Sequence, residues 1–199
     1  FLYVLLRPQW KSWLVRGAYI ITVFGGLVTM KLMGNLFEIS MNWVWVIGGI
    51  FAILGAVYTA FLFNQARARD LWQTPIQSAI HMLVHATMAG SVVLMIIAPD
   101  SSQWMANILL WGIVANVIIL AKEILMPHDT PDTKKAIELM TKGYYSKYFW
   151  AGIVLGNLTP IVILNTGPSM MLIAGGLALV GIYLTEFVRI RVPQMIPLS

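Results

Sequence analysis

The chain contains no cysteine, and charged residues make up only 11% of it. Without thiolates it can ligate no iron–sulfur cluster, attach no c-type haem and form no disulfide, so any metal cluster serving it belongs to a partner. Three histidines are present, His81, His85 and His128, and the first two are four residues apart. On a helix they share a face and cannot approach one iron from opposite sides, so a buried haem would need a ligand from outside this chain. The shortage of charge, set against 59% hydrophobic residues and a mean hydropathy of +0.79, also excludes an ordinary water-soluble domain.

What the chain does have is a series of long apolar runs. Spans are expected at about 14–33, 43–66, 75–98, 104–126, 148–165 and 169–190, each near the length that crosses a hydrocarbon core. Residues 1–6, FLYVLL, read as the end of an earlier span, because the sequence opens without Met and is apolar from its first residue. That start lacks the basic residues and small-residue cleavage site of a signal peptide, so an N-terminally incomplete protein is expected. The fold class is all-α: a polytopic transmembrane bundle, about six complete spans plus the end of another, forming a single domain over residues 1–199. If the spans alternate, every Lys and Arg among the 13 except Lys31 falls on one side of the membrane. By the positive-inside rule that side and the C-terminus are cytoplasmic. The net charge of +5 is then an orientation signal, and no motif for reading nucleic acid accompanies it.

One run departs from pure apolarity. Residues 69–90, RDLWQTPIQSAIHMLVHATMAG, carry Thr74, Gln77, Ser78, His81 and His85. The steps of four, three and four from Thr74 through Ser78 and His81 to His85 set these on one helical face. Polar groups at membrane depth cost several kcal/mol unless they meet partners, water or a ligand, so this face is expected to point into the bundle as a polar lane. At the usual helical rise, His81 lies about 10 Å and His85 about 15 Å inward from Thr74 and Pro75. Histidine titrates near neutral pH and suits proton exchange. The competing assignment is interhelical hydrogen bonding, a common adhesive in membrane bundles.

Other polar residues have structural readings of equal simplicity. Glu123 beside Lys122, and Glu186 beside Arg189, sit near span ends where ion pairs and snorkelling cations are common. Glu186 is the better functional candidate of the two. Asn116, Asn157 and Thr159 are expected to bond across helices, and Pro160 to kink its helix and free a carbonyl. Gly152 and Gly156, together with the pairs Gly48–Gly49 and Gly175–Gly176, are expected at close helix contacts. The connector over 126–146 opens with two prolines before a stretch that sets Ala136, Ile137 and Met140 on one side, the pattern of a short helix in the interface. Tyr144, Tyr145, Tyr148 and Trp150 then form an aromatic belt, and His128 reads as a solvated loop histidine.

Several motifs in order resemble the NrfD/PsrC family, the quinone-interacting membrane subunits of polysulfide-reductase-like complexes. Ser12, Trp13, Arg16 and Gly17 are similar to its SW-x-x-RG span entry. Residues 58–62, YTAFL, followed by Asp70, Trp72, Thr74 and Pro75, are similar to its YTG-type helix end and W-x-(S/T)-P turn. Trp150, Gly152, Gly156 and Pro160 resemble a W-x-G-x3-G-x3-P helix, and residues 189–199 resemble the family's R-x-x-x-x-x-G-Q-x-x-P-x-S ending, with Pro193 where Gly is usual. The resemblance implies a bundle of about eight spans, without haem or cluster, that pairs with an iron–sulfur subunit and often a molybdopterin-type catalytic subunit in a prokaryotic cytoplasmic membrane. It implies exchange of electrons with quinone, either menaquinone or ubiquinone.

A quinone site then draws on Tyr58, Trp72, Gln77, His81 and His85, with His81, His85 and Glu186 handling protons chemically. Thr74, Ser78, Glu123 and Glu186 would line the proton path. A buried Tyr58 hydroxyl could equally be a satisfied core group, and Trp72 an interfacial anchor. The alternatives from other classes are a proton- or ion-translocating subunit that binds no quinone, a secondary transporter, for which no inverted repeat is visible, and a structural anchor.

Overall fold

A computed structural model of the chain describes residues 6–65, 71, 74–126 and 130–196. The expectations for residues 1–5, Asp70, Trp72, His128 and the last residues of the C-terminal motif lie outside the described residues. Seven helices and no strand occur among the described residues: α1 Trp13–Leu36, α2 Trp43–Asn64, α3 Pro75–Ile97, α4 Ser102–Leu125, α5 Pro131–Thr141, α6 Ser146–Leu164 and α7 Met171–Arg191. All but α5 are long and apolar enough to cross a membrane. The polytopic helical fold expected from the sequence is the one observed, with span boundaries shifted by a few residues.

Local chemistry accounts for these helices and their ends. Hydroxyls within apolar helices are satisfied on their own backbone: Thr22 donates to the Ala18 carbonyl at 2.7 Å and Thr29 to that of Gly25 at 2.9 Å. Beyond α1 the chain turns at Glu38, whose φ of 59° is incompatible with a continuing right-handed helix. Beyond α6 it turns at Gly167, with φ of 140°, where a side chain would be strained. Helix α5 starts at a Thr130 cap, whose Oγ1 accepts the Thr133 N–H at 3.2 Å, with Pro131 next in line.

The described residues fall into two compact units, divided within α3. The first holds α1, α2 and α3 as far as Leu83. Its α1–α2 pair packs through Gly17, where a Cβ would overlap the Tyr58 ring, and through stacked Trp13 and Phe61 with centroids 4.4 Å apart. Gln65 ties the entry of α1 to the end of α2, accepting from the Trp13 N–H at 2.9 Å and donating to the Lys11 carbonyl at 3.0 Å. Most of the apolar surface of this pair is exposed, as suits helices whose solvent is lipid.

The second unit takes α3 from Val84 together with α4 to α7. Its core is Met88, Val92, Met95, Ala106, Leu109, Ile113, Met171 and Ala178. Glycines bring backbones together here: a Cβ on Gly152 would lie 2.9 Å from Thr185 Cγ2, and one on Gly156 would overlap the backbone of Gly181. Gly175 also packs closely, against Val92. Gly48, Gly49 and Gly176 do not, since a Cβ on any of them would meet nothing within 4 Å among the described residues, so the close-contact expectation fails there at those three. The short helix α5 is amphipathic as expected, burying Ala136, Ile137 and Met140, and Trp150 Nε1 donates to the Thr141 carbonyl at 3.0 Å.

Candidate functional site

Helix α3 carries a continuous buried stripe: Ser78, His81, His85, Met88, Val92 and Met95. The spacing of three and four is that of one helical face, and its first half is polar. Thr74 at the head of the stripe is exposed, and Gln77 and Tyr58 are half-buried. His81 is 1% and His85 6% exposed, so neither looks out into lipid.

In the second unit His85 belongs to a larger polar cluster that four helices build. Its Nε2 lies 3.0 Å from Asn116 Oδ1 on α4. Asn116 Nδ2 donates to Asn157 Oδ1 on α6 at 2.8 Å, and Asn157 Nδ2 donates to the Gly152 carbonyl at 3.0 Å. On the other side of the ring, His85 Nδ1 lies 3.4 Å from Glu186 Oε1 on α7. Arg189 Nη1 donates to that same Oε1 at 3.0 Å, while Arg189 Nη2 donates to Glu123 Oε1 on α4 at 3.3 Å. Arg189 is 3% exposed, a charge buried only because two carboxylates meet it.

The backbone of α6 explains one end of this chain of bonds. Residues Val154–Leu158 form a π-helical turn within the span, directly before Pro160. Proline has no N–H for the helical ladder, and a widened turn is one way a helix accommodates it. Side chains here reach five residues back, Asn157 to Gly152 and Thr159 Oγ1 to the Val154 carbonyl at 2.9 Å. The expected kink and freed carbonyl thus take the form of a π-turn whose polar side chains supply the hydrogen bonds.

The sequence reading paired Glu123 with Lys122. Lys122 is exposed, and Glu123 instead meets Arg189 from another helix. The expected Glu186–Arg189 pair is present within α7, and Arg189 also holds Glu123 on α4; a second acid at the end of another span is the signal for that contact. Asn116 and Asn157 do bond across helices, to each other. Two cavities are described, an apolar groove of about 340 Å³ between α1 and α2 and a recess of about 230 Å³ lined by Gln103, Asn107 and Asn165. Neither is lined by His81, His85 or Tyr58.

No curated protein and no solved structure matches the chain. Over residues 1–197 it matches the family described as Polysulphide reductase, NrfD. With essentially its whole length matched and its helices of the expected kind, this chain belongs to the NrfD family.

Proposed function

We propose that this chain is the quinone-reactive membrane subunit of a multi-subunit oxidoreductase, and that its own contribution is to hold and pass protons at the His85–Glu186 cluster. Members of its family are membrane subunits of quinone-interacting oxidoreductase complexes. Quinone, menaquinone or ubiquinone, supplies two-electron chemistry that consumes or releases two protons. The residues fit that need: a histidine and a carboxylate 3.4 Å apart, within apolar helices, can pass a proton between them. This pairing is the observation that carries the reading. Thr74, Gln77, Ser78 and His81, on the turns of α3 leading to His85, would bring protons from the basic side, which the Lys/Arg bias assigns to the cytoplasm. Tyr58 and Trp72 would orient the ring. Electrons would pass to or from an iron–sulfur subunit on that face, with a molybdopterin-type subunit beyond it.

A second reading rests on the same cluster. Its histidine, carboxylates and arginine, which join α3, α4 and α7, would equally serve proton translocation without quinone. Intrinsic fluorescence separates the two, because the chain has eight tryptophans as reporters. Saturable quenching by a short-chain quinone supports the quinone-reactive subunit. Quenching that rises without saturation refutes it.

A further inference from the structure

The direction of every hydrogen bond between Gly152 and His85 follows from one fact, that a carbonyl only accepts. Because Asn157 must present Nδ2 to the Gly152 carbonyl, its Oδ1 faces Asn116. Asn116 must therefore present Nδ2 to Asn157, which turns its own Oδ1 to His85. An oxygen acceptor at 3.0 Å requires a proton on His85 Nε2. In the neutral ring the other nitrogen, Nδ1, is then a bare lone pair, and it faces the Glu186 carboxylate at 3.4 Å. Two acceptors at that distance repel unless a proton lies between them.

The described groups of the second unit that face one another here are His85 on α3, Asn116 and Glu123 on α4, Asn157 on α6, and Glu186 and Arg189 on α7. Arg189 is divided between both carboxylates, so it does not serve Glu186 alone, and a proton between His85 Nδ1 and Glu186 Oε1 is favoured in low-dielectric surroundings.

We infer that His85 and Glu186 hold one shared proton, and that Asn116 and Asn157 are positioning residues that keep His85 Nδ1 turned toward the carboxylate. The anchor is the π-turn of α6, which aims the Asn157 amide at Gly152. Held in this way the ring cannot lose the geometry of its proton position without breaking bonds across three helices. For its use in turnover this inference rests on the function proposed above; as a statement about the proton it does not.

Nuclear magnetic resonance of the ¹⁵N-histidine-labelled complex, reconstituted in lipid at neutral pH without quinone, tests it. His85 is assigned by the signal lost in His85→Gln. The expected result is a His85 ring protonated at Nε2 throughout, with Nδ1 either protonated or hydrogen-bonded. Asn116→Leu and Asn157→Leu should each turn this single state into a mixture containing the Nδ1-protonated, Nε2-bare ring. Glu186→Gln should leave Nε2 protonated while Nδ1 accepts from the new amide. A native His85 with a bare Nε2, or with an Nδ1 neither protonated nor hydrogen-bonded, or Leu variants that keep the native pattern, overturns the inference. If the Leu variants do not fold, the native spectrum and the Glu186→Gln spectrum decide it. Saturable quinone quenching alongside a reversed ring defeats this inference alone; the expected ring without such quenching defeats the quinone reading alone.

Discussion

Replacing Arg189 with Met keeps the aliphatic stem and much of the volume but removes the cation from between two carboxylates. Arg189 is 3% exposed and bonds Glu186 at 3.0 Å and Glu123 at 3.3 Å, so water cannot take over its role. Removing one partner from a buried ionic cluster costs about 3–5 kcal/mol, because charge is left uncompensated. For a chain of this length about 1 kcal/mol corresponds to roughly 2–4 °C, which gives a fall of about 6–20 °C in Tm. With one proton shared by His85 and Glu186, the charge left over in Arg189→Met is that of Glu123. Adding Glu123→Gln should therefore recover a good part of the loss, although it is a second change in the same cluster, with a coupling of about 0.5–3 kcal/mol. Thermal unfolding followed by tryptophan emission in lipid nanodiscs measures all the variants, with Glu123→Gln alone completing the cycle. A loss under about 1 kcal/mol in Arg189→Met, or a double variant whose losses simply add, refutes the reasoning.

Gly156→Ala should already impair assembly and Gly156→Leu should abolish it. The new Cβ meets the backbone of Gly181, so the strain is at or beyond the usual overpacking range of about 1–3 kcal/mol; the yield of intact complex on a native gel reports it. Gly17→Ala should be destabilising through overlap with the Tyr58 ring, and Tyr58→Ala should relieve much of it, as measured by the Tm of the double variant against each single one. His85→Ala should leave the complex assembled while lowering quinone turnover by about 10²–10⁴-fold, the usual contribution of a positioned acid–base group; normal turnover would remove His85 from the proposed chemistry. Thr130→Ala should cost about 1 kcal/mol by uncapping α5, seen as faster limited proteolysis within residues 130–141.

The spans were legible because a hydrocarbon solvent imposes a simple rule on length and polarity, and a polar residue in such a run is conspicuous. The same rule pointed to Ser78, His81 and His85 as inward-facing, since their spacing fixes one face of one helix. Partners on different helices were less legible. Glu123 was paired with Lys122 because the two are adjacent in sequence, yet adjacent residues on a helix project about 100° apart, and the acid turned inward while the lysine stayed outside. The Asn116–Asn157 bond depends on how α4 and α6 cross, which periodicity does not encode. Pro160 announced an irregularity but not its kind: a kink and a π-turn both accommodate a missing N–H, and the Asn157 and Thr159 side chains that reach back along the helix accompany the π-turn. Glycine pairs misled in the opposite way. Gly152 and Gly156 meet Thr185 and Gly181, whereas the adjacent Gly48 and Gly49 have no close neighbour among the described residues.

The contact between Gly156 and Gly181 has a mechanical consequence. Backbone bears on backbone there with no compressible side chain between, so this point is the natural pivot for any rocking of α6 against α7, as a pin is for a lever. Glu186 is five residues along α7 from the pin, about 7.5 Å at the helical rise, and Met171 is ten residues the other way, about 15 Å. A tilt of about 10° would swing Met171 by roughly 2.6 Å and move Glu186 by only roughly 1.3 Å. A carboxylate mounted so near the pin changes which neighbour it bonds before it changes where it is.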